Sequence, residues 1–290
     1  MYALKTIPEI TVNEPKKIFT LSADLSLIRK FKDLIEERTG NYFNENRESL
    51  VFRAVAERMQ ETGLKTQEEY YTFLKIIPHF HPEWRYLTSS ITNNESYFFR
   101  EYHQFETLVK EIVPQLGLQS WDTIRILSAA CSEGQEVYSC NMALKESGME
   151  SGYQIYGIDI DEMALNRAKS GKYGQYSFRE EKFSHLYRKY FGRSGEEYQI
   201  AEEMKNNVRF VNASLINRNQ LSMLPEFDVI FCRNVLIYFR EENFKLAISN
   251  LFGLLKPGGF LFLGHSESAL GLNPNLVPVS FNSFIGYKKI

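Results

Sequence analysis

The sequence predicts an α/β protein: a parallel sheet covered by helices on both faces, carrying a small inserted β-subdomain and preceded by a small all-α module. Three observations carry this prediction. Residues 21–87 show three- and four-residue apolar spacing and no good strand. After residue 120, short β-rich runs alternate with helical patterns. Alternation at this length gives a parallel sheet buried on both faces. Between 171 and 207 the alternation stops in a charged, aromatic stretch too long for a simple βα loop, which reads as an insertion. The expected division is a helical module over 1–90 with a linker to about 96, then a sheet module over 91–290.

In the helical module, LSLIRKFKDLIEERTG sets Leu27, Ile28, Phe31, Leu34 and Ile35 on one face, and Gly40 stops it as a C-cap would. RESLVFRAVAERMQETGL repeats the arrangement with Leu50, Val51, Ala54 and Val55, ending at Gly63. QEEYYTFLKII is a third amphipathic helix, cut by Pro78. The module is expected to hold about four helices; the stretch HFHPEWRYLTSSITNNES, 79–96, has no clear period and reads as a linker or an extended crossing segment. Its His79 and His81 lack a third ligand in register, so no metal is expected. In the sheet module, TIRILSAA (123–130), YQIYGIDI (153–160), VRFVNAS (208–214), FDVIFCRN (227–234) and FLFLGHS are expected strands. GQEVYSCNMALKESG, DEMALNRAKSG and EENFKLAISNLFGLLKPGG are expected helices, the last closing on Pro-Gly-Gly. PVSFNSFIGYKK ends the sheet as antiparallel strand.

Composition narrows the function classes. The 290 residues are 43% hydrophobic and 24% charged, enough apolar surface for a large core. With 34 basic against 36 acidic residues the formal net charge is −2, so the basic excess that phosphate-backbone binding needs is missing. Nucleic acid is therefore not an expected partner. No apolar run reaches the roughly 18–20 residues of a membrane span, and the opening MYALKTIPEITVNEPKK has no apolar signal core. Cys131, Cys140 and Cys232 are odd in number and not spaced as zinc ligands, so they read as reduced thiols. Together these predict a cytoplasmic protein without membrane insertion. Nothing marks a dimer interface, and a monomer is expected.

In a parallel sheet the ligand sits at the C-terminal ends of the strands. The turn after the first strand, SAACSEGQE, has small residues and Gly134, but not the three glycines of a dinucleotide turn nor the Gly-Lys-Ser/Thr of a P-loop. It offers carboxylates at Glu133 and Glu136. These favour a ligand with a cationic end, or are helix N-terminal acids balancing the dipole. In IDID (158–161), Asp161 reads as an N-cap, which leaves Asp159 as the candidate for ribose hydroxyls. A nucleoside with a positive centre and no pyrophosphate suits such a site, and S-adenosylmethionine has that shape. The fourth strand opens into Arg233 and Asn234 at the sheet end, with Tyr238 one turn later. In ITNNESYFFRE (91–101), Asn94 and Ser96 can hydrogen-bond and Arg100 offers a carboxylate fork. Phe98 and Phe99 are either stacking surface or a core pair.

ITNNESYFFRE, SAACSEGQEVYS, YGIDIDEMALNRAKSGKY, FDVIFCRNVLIYF and LLKPGGFLFLGHSES follow the order and approximate spacing of the chemotaxis protein methyltransferases. The chain resembles that family from about 20 to 288, and its first ninety residues resemble the family's N-terminal domain. The resemblance implies the Rossmann-like sheet of class I methyltransferases, with S-adenosylmethionine as cofactor and S-adenosylhomocysteine as product. It implies methylation of glutamate side chains on the cytoplasmic domain of chemotaxis receptors. By the same resemblance Asn94, Ser96, Arg100, Glu136, Asp159, Ser214, Leu215, Asn234 and Val235 surround the cofactor. Glu136 takes its cationic end, Asp159 the ribose, Ser214 and Leu215 the adenine, Asn234 and Val235 the methionine part. Arg100 and Tyr238 lie near the transferred methyl.

The chain departs from the family pattern at several positions. Gln135 and Val137 stand for a Glu and a Pro, and Ser214 for an Asn, which implies a lost or water-mediated adenine contact. The basic face of the second helix keeps Arg47, Arg53 and Arg58 but is interrupted by Glu48, Glu57 and Glu61. The insertion resembles a subdomain that in some members docks a receptor's C-terminal peptide; its 192–207 segment is short for that, and such docking is not expected. Two other readings fit the same residues: the same cofactor with another carboxylate acceptor, and a non-catalytic cofactor-binding signalling module.

Overall fold

The computed structural model describes residues 25–116 and 123–290. The opening stretch, where no signal segment is expected, and positions 21–24 of the first helical pattern lie outside the described residues. The N-terminal part is four helices: α1 (Leu25–Thr39), α2 (Glu48–Thr62), α3 (Gln67–Ile76) and α4 (Pro82–Ile91). Their apolar faces meet in one cluster built on Phe31, Ile35, Val51, Val55, Leu74 and Leu87. Helix α2 ends at Gly63 in the left-handed region, as its pattern requires.

Helix α4 corrects the linker reading of 79–96. Pro82 stands at its first turn, where a missing N–H costs nothing, and the His81 ring nitrogen accepts the Glu83 N–H at 3.1 Å. Trp84, Leu87, Thr88 and Ile91 are its buried face. The same helix buries Glu83, whose carboxylate takes both Arg58 of α2 (2.9 and 2.8 Å) and the Tyr70 hydroxyl of α3 (2.6 Å). One ion pair thereby ties three helices, and the Tyr70 phenol is pushed up, by burial first and then by Glu83.

Beyond it come α5 (His103–Thr107), which runs through a wider turn into α6 (Val113–Gln115), then β1 (Ile124–Ala129), α7 (Gln135–Glu146), β2 (Tyr153–Asp159) and α8 (Glu162–Ser170). The insertion holds β3 (Lys172–Tyr173), α9 (Ser184–Tyr190), β4 (Phe191–Ser194) and β5 (Glu197–Ile200). The chain closes with β6 (Val208–Asn212), α10 (Arg218–Leu221), β7 (Phe227–Cys232), α11 (Glu241–Leu254), β8 (Leu255–Leu263), β9 (Leu276–Ser280) and β10 (Ile285–Lys289). The Lys-Pro-Gly-Gly run thus opens β8 rather than closing the helix before it.

The main sheet has the order β6-β2-β1-β7-β8-β10-β9, with β10 antiparallel to both neighbours and β6, β2, β1, β7 and β8 parallel. Ile126, Val229 and Phe231 face one apolar cluster, while Leu127, Ile230 and Cys232 face the other, the two-residue alternation of a sheet buried on both sides. Strand order reverses between β1 and β7, which puts a crevice at their C-terminal ends. The insertion is a separate antiparallel sheet, β3-β5-β4. It is held by an aromatic cluster in which Phe98 touches Tyr173, Phe178 and Phe191.

The helical part docks beside that crevice. The Tyr42 N–H donates to the Tyr238 carbonyl at 2.7 Å, and Arg240 pairs with Glu36 at 3.0 Å. A Cβ on Gly40 would lie 2.9 Å from the Phe239 ring, so glycine there permits the close approach.

Candidate active site

The crevice opens into a cleft of about 930 Å³ including its mouth. Nine of the ten residues expected from the sequence line it: Asn94, Ser96, Arg100, Glu136, Asp159, Leu215, Asn234, Val235 and Tyr238. Ser214 is the exception. Its neighbours Ala213 and Leu215 form the wall, while the Ser214 N–H is turned to Gln220 and its buried hydroxyl has no partner.

Asp159 ends β2 and is buried. One carboxylate oxygen accepts the Ser132 N–H at 2.7 Å and the other the Asp161 N–H at 2.8 Å. Burial raises its pKa to about 6 in spite of those hydrogen bonds, which pull it down. Asp161 is the N-cap of α8, accepting from Met163 and Ala164. Its other oxygen accepts from the Asn94 amide at 2.7 Å and the Thr92 hydroxyl at 3.0 Å. The cap therefore fastens the 92–94 strap over the strand end.

The two acids of the first turn have different places. Glu133 pairs with Arg167 of α8 at 2.6 Å and is not part of the cleft lining, whereas Glu136 is. Glu136 is not a bare carboxylate. It accepts the Ser128 hydroxyl at 2.6 Å and the Arg233 Nε at 2.6 Å. Arg233 is a site residue whose role the sequence did not disclose. Its side chain is 2% exposed, it donates to the Arg100 carbonyl at 2.8 Å, and it lies against the Phe105 and Phe231 rings. The available signal was an arginine at the end of an otherwise apolar strand, which can be buried only with a partner.

Phe98 and Phe99 are a core pair, with Phe99 stacked on Phe183 at 4.0 Å, while Arg100 between them and the cleft reaches the lining. Tyr238 stands at the side nearest the helical part. Its hydroxyl accepts from the Asn93 amide at 3.0 Å, and the Arg47 guanidinium lies 4.7 Å from its ring centre. Thr39, Asn41 and Arg47 also line the cleft, so the helical part contributes to its wall. Among the described residues, the non-glycine residues with positive φ are Phe99, Glu101, Ala130, Ser132 and Asn234, all within the three segments that border this cleft.

Comparison with known proteins identifies this arrangement. A family model described as "CheR methyltransferase, SAM binding domain" matches residues 94–283, and one described as "CheR methyltransferase, all-alpha domain" matches 26–92. The chain belongs to the CheR methyltransferase family. It is 33% identical to chemotaxis protein methyltransferase 2 of Vibrio cholerae, over 90% of this chain and 91% of that one. It is 32% identical to the chemotaxis protein methyltransferase of Escherichia coli, covering 83% of each. It is also 34% identical to the probable biofilm formation methyltransferase WspC of Pseudomonas aeruginosa, over 87% of this chain and 60% of that protein.

As a CheR methyltransferase the chain carries out S-adenosylmethionine-dependent methylation, and the cleft's chemistry fits that cofactor. A buried carboxylate at a strand end suits hydroxyl donors, a second carboxylate in the lining suits a cationic centre, and Ala213 and Leu215 add apolar lining. Among the described residues no helix is long and apolar enough to cross a membrane, and no three His, Cys, Asp or Glu side chains gather as metal ligands.

Proposed function

We propose that this CheR methyltransferase methylates glutamate side chains on the cytoplasmic part of chemotaxis receptors, releasing S-adenosylhomocysteine. The observation that carries the reading is a carboxylate-lined cofactor cleft whose mouth presents Arg100 and Tyr238, in a chain whose full-length relatives are chemotaxis protein methyltransferases.

Bound S-adenosylmethionine supplies an activated methyl group on a sulfonium. A glutamate with a pKa near 4.3 is already ionised at neutral pH, so the chain needs no general base. Its residues act by positioning. Asp159 accepts from the ribose hydroxyls, and Glu136 faces the cationic end with its charge shared with Arg233. Arg100, whose Nη1 donates to the Glu95 carbonyl at 3.2 Å, orients the incoming carboxylate. The Asn93 amide already donates to the Tyr238 oxygen, which leaves the phenol proton free to turn toward the acceptor. Asn94, Ser96, Leu215, Asn234 and Val235 complete the cofactor's surroundings. Ser214 acts through the backbone course it sets, since its side chain stands outside the lining.

The test is incubation with methyl-labelled S-adenosylmethionine and receptor cytoplasmic fragments from the host, followed by mild base. Label released as methanol from the receptor supports a glutamate methyl ester. A protein that binds cofactor but labels no fragment refutes the acceptor. The likeness to WspC favours a second reading, in which the acceptor belongs to a receptor of biofilm signalling. The same assay with that class of fragment separates the two.

A further inference from the structure

Four consecutive N–H groups of the loop after β7 converge on one side chain. Glu267 Oε2 accepts from Asn234 N at 2.9 Å, and Oε1 accepts from Val235 N at 2.9 Å, Leu236 N at 2.7 Å and Ile237 N at 3.4 Å. Oε2 also takes the Gly264 N–H at 2.9 Å. The loop concerned carries Asn234, Val235 and Tyr238, three cleft residues. Asn234 sits there at φ 59, in the left-handed region that Asn enters more readily than most residues with a side chain but that is still uncommon.

The geometry is made possible by the sheet register. Strands β7 and β8 lie side by side with Cys232 opposite Leu263, so the loops leaving them start one strand spacing apart. Gly264 lets them close. A Cβ there would stand 2.8 Å from Glu267 Oε2 and 2.9 Å from both Asn234 nitrogens. In nucleotide-binding sheets such a cluster of N–H groups after a strand is left for a ligand anion. Here the chain fills it with its own carboxylate, so the 234–238 loop serves the cleft through its side chains and its fixed path.

We infer that Glu267 is a positioning residue of the methyl-transfer site: it holds the 234–238 loop in the one backbone path that aims Asn234 and Val235 at the cofactor and Tyr238 at the acceptor. This rests on the reading of those three residues given above. A glutamine in its place has an amide that can face the loop only by setting donor against donor on one side. The path then loses its constraint, although residue 267 is not part of the cleft lining.

The experiment uses the full chain and S-adenosylhomocysteine binding by calorimetry, which needs no acceptor. Glu267→Gln is expected to weaken binding about tenfold or more, and Glu267→Asp, which keeps the charge on a shorter arm, to lose part of that. Val55→Ala, a cavity in the remote helical core, lowers thermal stability and is expected to leave the affinity unchanged. Asn234→Gly removes the side chain while accepting the left-handed backbone, and its loss should not add to that of Glu267→Gln. Wild-type affinity in Glu267→Gln, or in Glu267→Asp if the glutamine variant does not fold, overturns the inference when Asn234→Gly has lost affinity. So does an equal loss in Val55→Ala, which would reduce the effect to stability. Unchanged affinity in Asn234→Gly itself overturns the reading of the site, and the inference with it.

Discussion

Asp159 should make cofactor binding sensitive to acid. Burial raises its carboxyl from the ordinary 3.8 to about 6, against the pull of the Ser132 and Asp161 N–H groups. Ribose hydroxyls donate, so they bind the ionised form, and a proton must leave when the ligand binds below pH 6. At pH 5 about nine-tenths of the free protein carries that proton, so binding should be about tenfold weaker than at pH 8, a loss of about 1.4 kcal/mol. The sign for stability runs the other way. The folded state holds the proton more tightly than the unfolded one, so Asp159's contribution is fully present below 3.8 and is lost as pH rises through about 6. The gap between those values corresponds to about 3 kcal/mol at most. The assay is calorimetric S-adenosylhomocysteine affinity from pH 5 to 8, in wild type and Asp159→Asn. The ligand's own titration is common to both proteins and cancels in the ratio. A ratio that is flat across that range would refute the argument that the buried carboxylate, in its charged form, holds the ribose.

Other predictions concern the groups around it. Arg233→Met should destabilise the protein by about 3–5 kcal/mol in thermal unfolding, because Glu136 would be left without its cation, and Arg233→Lys should not restore it since one ammonium cannot reach both Glu136 and the Arg100 carbonyl as the fork does. Arg100→Ala should lower turnover about 10²-fold, while Asp159→Ala should act mainly on cofactor affinity; near-wild-type turnover in the Arg100 variant would remove its role. Glu83→Gln should cost about 3 kcal/mol by stranding Arg58 among the helices, read as a lower melting temperature with cofactor affinity retained. Cys131, Cys140 and Cys232 are all buried, and burial pushes each thiol up, so an alkylating reagent at pH 8 should label none in the native protein and all three in denaturant.

The alternation of strands and helices was legible because strands buried on both faces are near-continuous apolar runs, as Phe227–Cys232 shows. Strand ends then limited where site residues could be. Helix α4 was hidden because its sequence opens with His-Pro and continues through Thr-Ser-Ser, which reads as turn chemistry until the Trp84, Leu87 and Ile91 spacing is set against α2 and α3. The Glu136–Arg233 pair spans 97 positions and the Glu267–Asn234 contact 33, and no local pattern reports a partner at such distance. Ser214 is a position that the order of motifs leaves open: Ala213 and Leu215 line the cleft while Ser214 between them does not, its N–H being donated to Gln220.

The backbone strain gives these separate contacts a common purpose. Positive φ at a residue bearing a side chain costs roughly 1–2 kcal/mol, less for Asn, and all five such residues described lie in the three segments that border one cleft, Ala130, Ser132 and Asn234 in its lining. Three of them have a side-chain acceptor on their own N–H: Phe99 has Ser139 at 2.8 Å, Ser132 has Asp159 at 2.7 Å, and Asn234 has Glu267 at 2.9 Å. Each acceptor comes from another element of the sheet part, so the strap over the cleft, the β1 turn and the β7 loop are each locked to a neighbour. On the proposed function these turns bring three backbones together around one ligand. A methyl transfer that relies on alignment rather than on acid or base gains directly from that rigidity. The strain and its pinning side chains are therefore best understood as the cost of holding cofactor and acceptor in line.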